Sequence, residues 1–175
     1  MTFSTSSVSQ HIEDGKLDAK LSMLTKICEA TESRERSSSR EFTKVKDYLS
    51  KGANINCSDW SGKTSLFVAA ENGNLDIVQS LLERTNTNPN KGNKRDGKTP
   101  LHVATANGNL EIVQLLLQRT DTDPDKESKA GDTLLHSAAS GGHPNILQLL
   151  IERTDLDPNT ENKVLKEVIY MIVLL

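Results

Sequence analysis

Gly97-Lys98-Thr99-Pro100-Leu101-His102 is the middle one of three closely related segments in this chain. Gly62-Lys63-Thr64-Ser65-Leu66 precedes it and Gly131-Asp132-Thr133-Leu134-Leu135-His136 follows it, so the three glycines lie 35 and 34 residues apart. Each segment continues into small residues, a further glycine, an apolar run and an Arg-Thr-x-x-x-Pro tail. A period of about 34 residues is typical of a solenoid, in which one unit stacks on copies of itself. Such a stack offers a long surface and no closed cavity, which favours a binding protein.

The residues of each unit predict two helices. A threonine stands at the start of the first helix, where its hydroxyl can accept from an amide of the first turn; these residues are Thr64, Thr99 and Thr133. Pro100 follows at a position where its missing amide has no consequence. A glycine in the left-handed conformation ends this helix, at Gly73, Gly108 and Gly142. The second helix then carries a broad apolar stripe, in Ile77–Leu82, Ile112–Leu117 and Ile146–Ile151.

These residues resemble the ankyrin repeat family, whose pattern is roughly D-x-x-G-x-T-P-L-H-x-A-A-x-x-G-H-x-x-I-V-x-L-L-L. Gly97–Leu117 follows nearly all of it, whereas Ser65, Phe67 and Leu134 depart from it. The resemblance implies an all-α ankyrin-repeat solenoid of stacked antiparallel helix pairs, with projecting β-turn or hairpin loops. Where the family has a glycine after the second helix, this chain has threonine and an added residue, at Thr85, Thr120 and Thr154. We therefore expect that loop to have a different shape.

The repeat pattern divides the chain into three parts. Residues 1–16 form a serine-rich leader that we expect to be disordered, and residues 17–162 form the repeat array. The array contains about four units, at 17–58, 59–93, 94–127 and 128–162. In the first unit, Lys20–Ala30 and Val45–Asn56 are the two halves, and Glu32–Arg40 is an enlarged loop between them.

The apolar segment 163–175 is interpreted as a helix that caps the last unit or as a truncated repeat. Its final run from Val168 has 8 residues, too few for the ~20 that span a bilayer. We expect a monomer without membrane attachment, although this segment is also a candidate patch for self-association.

The composition adds few constraints. A net charge of −3 gives no general signal for nucleic acid or anionic membranes. Cys28 and Cys57 are too few and too far apart for a disulfide framework or a metal site. With no signal peptide at the start of the sequence, the chain is predicted to be intracellular, in the cytoplasm, the nucleus or both.

Two segments imitate ligand-binding motifs. Residues 92–99 match the phosphate-loop pattern G-x-x-x-x-G-K-[ST] letter for letter, but no buried strand precedes them and only a short helix follows. Asp121–Asp125 resembles the start of a calcium loop, but Lys126 replaces the glycine and Asp132 the bidentate glutamate that the loop requires. We therefore predict neither a nucleotide nor a metal site, and no cofactor.

The histidines and one serine cluster remain. His102 and His136 share one repeat position, with no carboxylate or nucleophile recurring beside them. In ankyrin repeats this histidine hydrogen-bonds within the loop network, so a structural role is implied, as it is for His143. Ser37-Ser38-Ser39 lies between arginines, which suggests either a solvated loop or a phosphorylation site near a helix start.

The resemblance also implies where a partner protein binds, since the family uses its loop tips and the exposed face of each first helix. By position these residues are Trp60, Ser61, Lys63, Glu71, Asn72, Arg95, Asp96, Lys98, Ala106, Asn107, Lys129, Asp132 and Ser140. Trp60 and Arg95 are the leading anchors, because tryptophan and arginine are enriched at interface hot spots. Alternatively, the Trp60 ring packs on the neighbouring loop.

The favoured function is a non-catalytic protein-interaction module acting as an adaptor, scaffold or inhibitor. One alternative is a nucleotide-binding enzyme that uses the Gly92–Thr99 loop. Another is a nucleic-acid binder that uses the basic middle loops, which contain Lys63, Lys91, Lys94, Arg95 and Lys98. The acidic loop that follows, Asp121–Asp132, argues against nucleic acid and predicts a partner with patches of both charges.

Overall fold

The computed structural model describes residues 38–153 together with the single residue Lys16. Residues 38–153 form seven helices, which are α1 (Ser38–Ser50), α2 (Ser65–Glu71), α3 (Leu75–Leu82), α4 (Pro100–Ala106), α5 (Leu110–Leu117), α6 (Leu134–Gly141) and α7 (Pro144–Arg153). Residues 1–15 of the leader, Lys20–Ala30, Thr154 and the C-terminal segment lie outside the described residues, and so do the predictions made for them.

The helices stack in two layers. The inner helices α2, α4 and α6 lie side by side with α4 in the middle, and the outer helices α3, α5 and α7 form a second row that α1 begins. Each inner helix packs on the outer helix that follows it. Within residues 38–153 the only sheet-like pairing is an antiparallel bridge between Ser58 and Thr64. The predicted all-α solenoid is confirmed.

The inner helices begin and end where the sequence predicts. The Thr64 hydroxyl accepts from the amide of Phe67 at 3.1 Å, and the hydroxyls of Thr99 and Thr133 accept at the same position of α4 and α6. Pro100 is the first residue of α4. The terminating glycines are left-handed, with φ of 74°, 77° and 70° in the three units. The three threonine side chains satisfy amides that a helix start otherwise leaves without partners.

The core lies between the two layers. The inner-helix leucines Leu66, Leu101 and Leu135 are 1%, 1% and 2% exposed, which confirms the predicted register. Facing them are the buried outer-helix residues Ile77, Leu81, Ile112, Leu116, Ile146 and Leu150. Alanines such as Ala70 and Ala104 keep the inner helices thin, so that neighbouring units approach closely.

The loop after each outer helix differs between units, as expected from the missing glycine. Gly52, after α1, has a φ of 88°, which is the left-handed conformation that commonly ends an α-helix. After α3 no residue is left-handed, and the helix ends on Glu83 with φ −59°. There the buried Thr87 hydroxyl donates to the carbonyl of Leu81. At this helix end, a side-chain hydroxyl satisfies a carbonyl, and no left-handed residue is needed.

One predicted boundary is wrong. The enlarged loop was expected to extend to Arg40, but α1 begins at Ser38. Three residues of that expected loop, 38–40, are therefore helical. The run of serine and arginine carries no proline or glycine that would prevent a helix from starting early.

Leu116→Ala is predicted to lower the free energy of unfolding by about 2–5 kcal/mol, because it removes a fully buried side chain from α5. Urea unfolding measures the change. Gln79→Ala is the control, since Gln79 is exposed on the outer helix α3, and its effect should stay within about 0.5 kcal/mol. Equal effects of the two variants would contradict a core position for Leu116.

Candidate functional site

Three projecting turns, the loop tips, precede the inner helices. The first covers residues 59–63 and is closed by the amide of Asp59, which donates to the carbonyl of Lys63 at 3.0 Å. The third, residues 128–132, closes in the same way. The second covers 93–98 and contains one residue more. This additional residue precedes Gly97 within the second tip. It explains why Gly62 and Gly97 are 35 residues apart, whereas Gly97 and Gly131 are 34 residues apart.

A side chain at the first position fixes each loop tip. The Asp59 carboxylate accepts from the amide of Lys63 at 2.9 Å and from the Ser61 hydroxyl at 2.6 Å. In the wider second tip, the Asn93 side-chain oxygen accepts from the amides of Asp96 and Gly97, at 3.1 and 3.0 Å. Because these bonds hold the backbone, the tips present their remaining side chains from fixed positions.

Backbone hydrogen bonds also join consecutive loop tips. The amide of Lys94 donates to the carbonyl of Ser61, and the amide of Lys129 donates to the carbonyl of Asp96, both at 2.8 Å. The tips approach so closely that a Cβ on Gly62 would lie 2.8 Å from the amide nitrogen of Lys94. The three tips therefore form one continuous edge of the molecule.

A groove of about 650 Å³ lies between the first two tips and the inner helices α2 and α4. We call it the Trp60 groove. Its lining consists of Asp59, Trp60, Ser61, Lys63, Phe67, Glu71, Asn93, Lys94, Arg95, Asp96 and Val103. It brings together six of the predicted partner-binding residues, namely Trp60, Ser61, Lys63, Glu71, Arg95 and Asp96. Trp60 is 83% exposed and is the only large apolar side chain exposed in the described part of the chain.

The other seven predicted residues lie outside this groove. They are Asn72, Lys98, Ala106, Asn107, Lys129, Asp132 and Ser140, and none of them is buried. Two of these side chains join units to each other: Asn107 donates to the carbonyl of Glu71 at 2.7 Å, and Lys129 donates to the carbonyl of Lys94. Sequence position alone did not reveal these structural bonds.

The charges of the middle loops are less available than the sequence suggests. The Lys63 ammonium pairs with Glu71 at 2.6 Å and lies 5.3 Å from the centre of the Phe67 ring. Lys91 donates to the carbonyl of Asn56 at 2.8 Å in the preceding unit. By contrast, Lys94 and Arg95 are exposed, and neither forms an ion pair within the described residues.

The phosphate-loop imitation folds as a loop tip. Its amides at Asp96 and Gly97 donate to the Asn93 side chain and do not converge on an open site. The hydroxyl of Thr99, which the motif would use for magnesium, instead caps α4. The helix that follows has only 7 residues. The geometry therefore lacks the parts that phosphate binding by this motif requires.

The calcium-loop imitation is explained by hydrogen bonds within the loop. The Arg119 guanidinium donates to both carboxylate oxygens of Asp121, at 2.8 and 2.7 Å, and this hydrogen bond lowers the pKa of Asp121. Arg119 also donates to the carbonyl of Leu82 at 2.7 Å, at the end of α3. Asp123 accepts from the amide of Asp125 in a local turn. The described residues contain no group of three or more His, Cys, Asp or Glu suited to a metal ion.

His102 has the structural role that the resemblance implied. Its Nδ1 accepts from the amide of Thr99 at 3.3 Å, which completes a capping box at the start of α4. Its Nε2 then carries the proton and donates to the carbonyl of Asp132, 3.2 Å away in the next unit. Burial of the ring lowers the pKa of His102, and the bond to Asp132 opposes this shift only partly. His136 forms the same capping box in α6.

An asparagine ladder, formed by Asn56 and Asn90, runs along the loops that follow the outer helices. The Asn56 side-chain amide donates to the carbonyl of Asn86 at 2.7 Å, and its oxygen accepts from the amide of Asn88 at 2.8 Å. One unit later, Asn90 forms the same two bonds with Asp121 and Asp123. The expectations drawn from the sequence do not include these bonds. The recurrence of asparagine at the matching positions 56 and 90 was the signal that was missed.

Comparisons with known proteins agree with this geometry. A family model described as ankyrin repeats in three copies matches residues 37–128. A second model, described as ankyrin repeat, matches residues 130–163. The comparison with curated proteins finds no match. Across the described residues, no helix has both the length and the apolar character needed to cross a bilayer.

Asn90→Asp is predicted to lower the free energy of unfolding by about 1 kcal/mol, because a carboxylate cannot donate to the carbonyl of Asp121. The matched control is Asn88→Asp. The Asn88 side chain accepts from the amide of Asn90 and donates no hydrogen bond within residues 38–153. One unit later, the carboxylate of Asp123 accepts in the same way from the amide of Asp125. Both variants add one negative charge. Equal shifts in urea unfolding would show that charge, and not the lost donor, causes the effect.

Neutral His102 is predicted to stabilise the fold fully above the unfolded-state pKa of about 6.5. Because the folded state has a lowered pKa, this stabilisation is lost as pH falls from about 6.5 towards that lower value. His102→Gln retains a capping acceptor at the same helix position but does not titrate. Urea unfolding at pH 7.5, 6.5 and 5.5 should show a steeper loss for the wild type. Parallel pH profiles would contradict the prediction, and Gln79→Ala should follow the wild type.

Proposed function

Because the chain belongs to the ankyrin repeat family, whose members are generally protein-interaction modules, we propose that it is a non-catalytic adaptor, scaffold or inhibitor. It binds a partner protein through its loop tips and the exposed faces of the inner helices. The observation that carries the proposal is the exposure of Trp60 at the edge of a groove that the repeat scaffold holds open. A large exposed aromatic ring beside a concavity is a common anchor of protein interfaces.

The rigidity of the surface supports the proposal. Side chains fix each loop tip, and backbone hydrogen bonds fix one tip to the next. A partner therefore does not have to order these loops when it binds, which removes an entropic penalty of association. The thirteen predicted residues remain the proposed contact set, and the six that line the Trp60 groove are its centre.

The proposal includes a monomeric protein inside the cell. The two cysteines of the sequence, Cys28 and Cys57, suit a reducing compartment better than an oxidising one. The alternative of self-association through the C-terminal segment concerns residues 163–175, which are outside the described part.

Trp60→Ala is predicted to weaken partner binding by about 2 kcal/mol or more, as expected for a hot-spot anchor. The melting temperature should change little, because the side chain is largely exposed. A quantitative pull-down from cell extract compares proteins retained by the wild type with those retained by Trp60→Ala and by Trp60→Ala with Arg95→Ala. Isolated partners are then measured by binding kinetics.

Gln79→Ala is the control, because Gln79 is exposed on the outer layer, away from the Trp60 groove. It should retain every protein that the wild type retains. If Trp60→Ala instead lowers the melting temperature by several degrees and leaves binding intact, the ring belongs to the scaffold. The proposed surface would then be wrong about its main anchor.

A further inference from the structure

We infer that the Trp60 groove binds an extended, acidic segment of a partner protein, with an apolar side chain against Trp60 and a carboxylate on Lys94 and Arg95. This inference rests on the proposed function, since it names the chemistry of the partner at the proposed surface. Two observations carry it. The second loop tip is wider than its neighbours, and its cations Lys94 and Arg95 form no ion pair within the described residues.

The apolar part of the site consists of Trp60 and the floor beneath it. Phe67 and Val103 line the groove but are themselves buried, at 1% and 8% exposure. The Lys63 side chain covers the Phe67 ring, so the accessible floor includes the methylene groups of Lys63. An inserted apolar side chain would contact this floor and the Trp60 ring, which is the only one of these groups largely in solvent.

The cationic part of the site comes from the additional residue of the second loop tip. Residues 94–96 lie inside a turn that is one residue wider than its neighbours. Asn93 holds this width through its bonds to the amides of Asp96 and Gly97. Gly92 permits it, since a Cβ there would lie within 2.4 Å of the Gly97 carbonyl oxygen. The backbone is thus fixed while Lys94 and Arg95 extend into solvent.

The remaining charges of the groove already have partners. Lys63 and Glu71 pair with each other, the Asp59 carboxylate accepts two hydrogen bonds, and Asp96 accepts from the amide of Lys98 at 3.2 Å. Only Lys94 and Arg95 offer charged donors that are not used within the described residues. A guanidinium binds a carboxylate through two parallel hydrogen bonds, which favours Asp or Glu in the partner.

The same charges disfavour a nucleic acid at this surface. A polynucleotide carries phosphates at regular short intervals and needs a continuous cationic track. Here Asp59, Glu71 and Asp96 line the groove itself, and the acidic residues Asp121, Asp123 and Asp125 follow after the outer helix α5. A peptide can place one carboxylate on two cations and avoid the rest, so a peptide fits better.

A phage-displayed library of random dodecapeptides, selected on the whole chain, tests the inference. The selected peptides should carry an apolar residue with Asp or Glu close to it in sequence. Synthetic copies should bind Trp60→Ala at least ~30-fold more weakly and Arg95→Glu at least ~10-fold more weakly than the wild type. Raising the salt concentration should slow their association.

Charge exchange separates a direct contact from a general effect of charge. A selected peptide in which the acidic residue is replaced by lysine should prefer Arg95→Glu over the wild type. Arg84→Glu is the matched control, since Arg84 is exposed after the outer helix α3 and does not line the groove. It should bind the original peptides like the wild type. Lys94→Glu is a second charge variant of the same site. Thermal unfolding should show that all of these variants fold.

Peptides without acidic residues, no selection above background, or undiminished binding by Arg95→Glu would overturn the inference. So would a labelled uridine dodecamer that binds more tightly than the peptides. If binding is lost in Trp60→Ala but is indifferent to Arg95→Glu, the acidic partner is wrong while the proposed surface stands. If neither variant matters but substitutions on the outer helices abolish binding, the proposed surface fails as well.

Discussion

The helix pairs within residues 59–153 bury one another, because helices of seven or eight residues, such as α2 to α6, are too short to be stable alone in water. The stack supplies the missing burial, with Leu101 of α4 and Leu116 of α5 enclosed by the units on both sides. Burial alone does not set how one unit sits on the next. Hydrogen bonds between the units, from Lys94 to Ser61 and from His102 to Asp132, set that register.

This register also determines which polar groups remain for function. Several conspicuous polar side chains among residues 38–153 are already used inside the scaffold: His102 and Thr99 cap a helix, Asn107 joins two units, and Lys63 pairs with Glu71. The groups that the first two loop tips hold in solvent include the indole ring of Trp60 and two adjacent cations, Lys94 and Arg95. They lie on backbone that is fixed by its own hydrogen bonds. The proposed binding surface therefore consists of side chains that the fixed loop tips hold in solvent.

The fold could be predicted from the sequence because its signals repeat. Threonine caps, terminating glycines and apolar stripes recur at one spacing, so each copy supports the interpretation of the others. The site could be predicted only in part from the sequence. The repeat position places Trp60 and Arg95 on loop tips, but it cannot show that Lys91 bonds to Asn56. The start of α1 at Ser38 was missed because that first unit lacks the recurring motif. Bonds between residues about 30 apart depend on the stacked geometry, which no local pattern contains.

The repeat position that forms the asparagine ladder does not carry the same residue in every unit. Asn56 and Asn90 each give one amide donor and one acceptor to the following unit. The corresponding residue of the next unit is Asp125, whose carboxylate can accept but has no N–H to donate. Asp125 thus carries an acidic side chain where Asn56 and Asn90 carry a neutral amide. Along the array, the side chain at this repeat position therefore changes from one that both donates and accepts to one that only accepts.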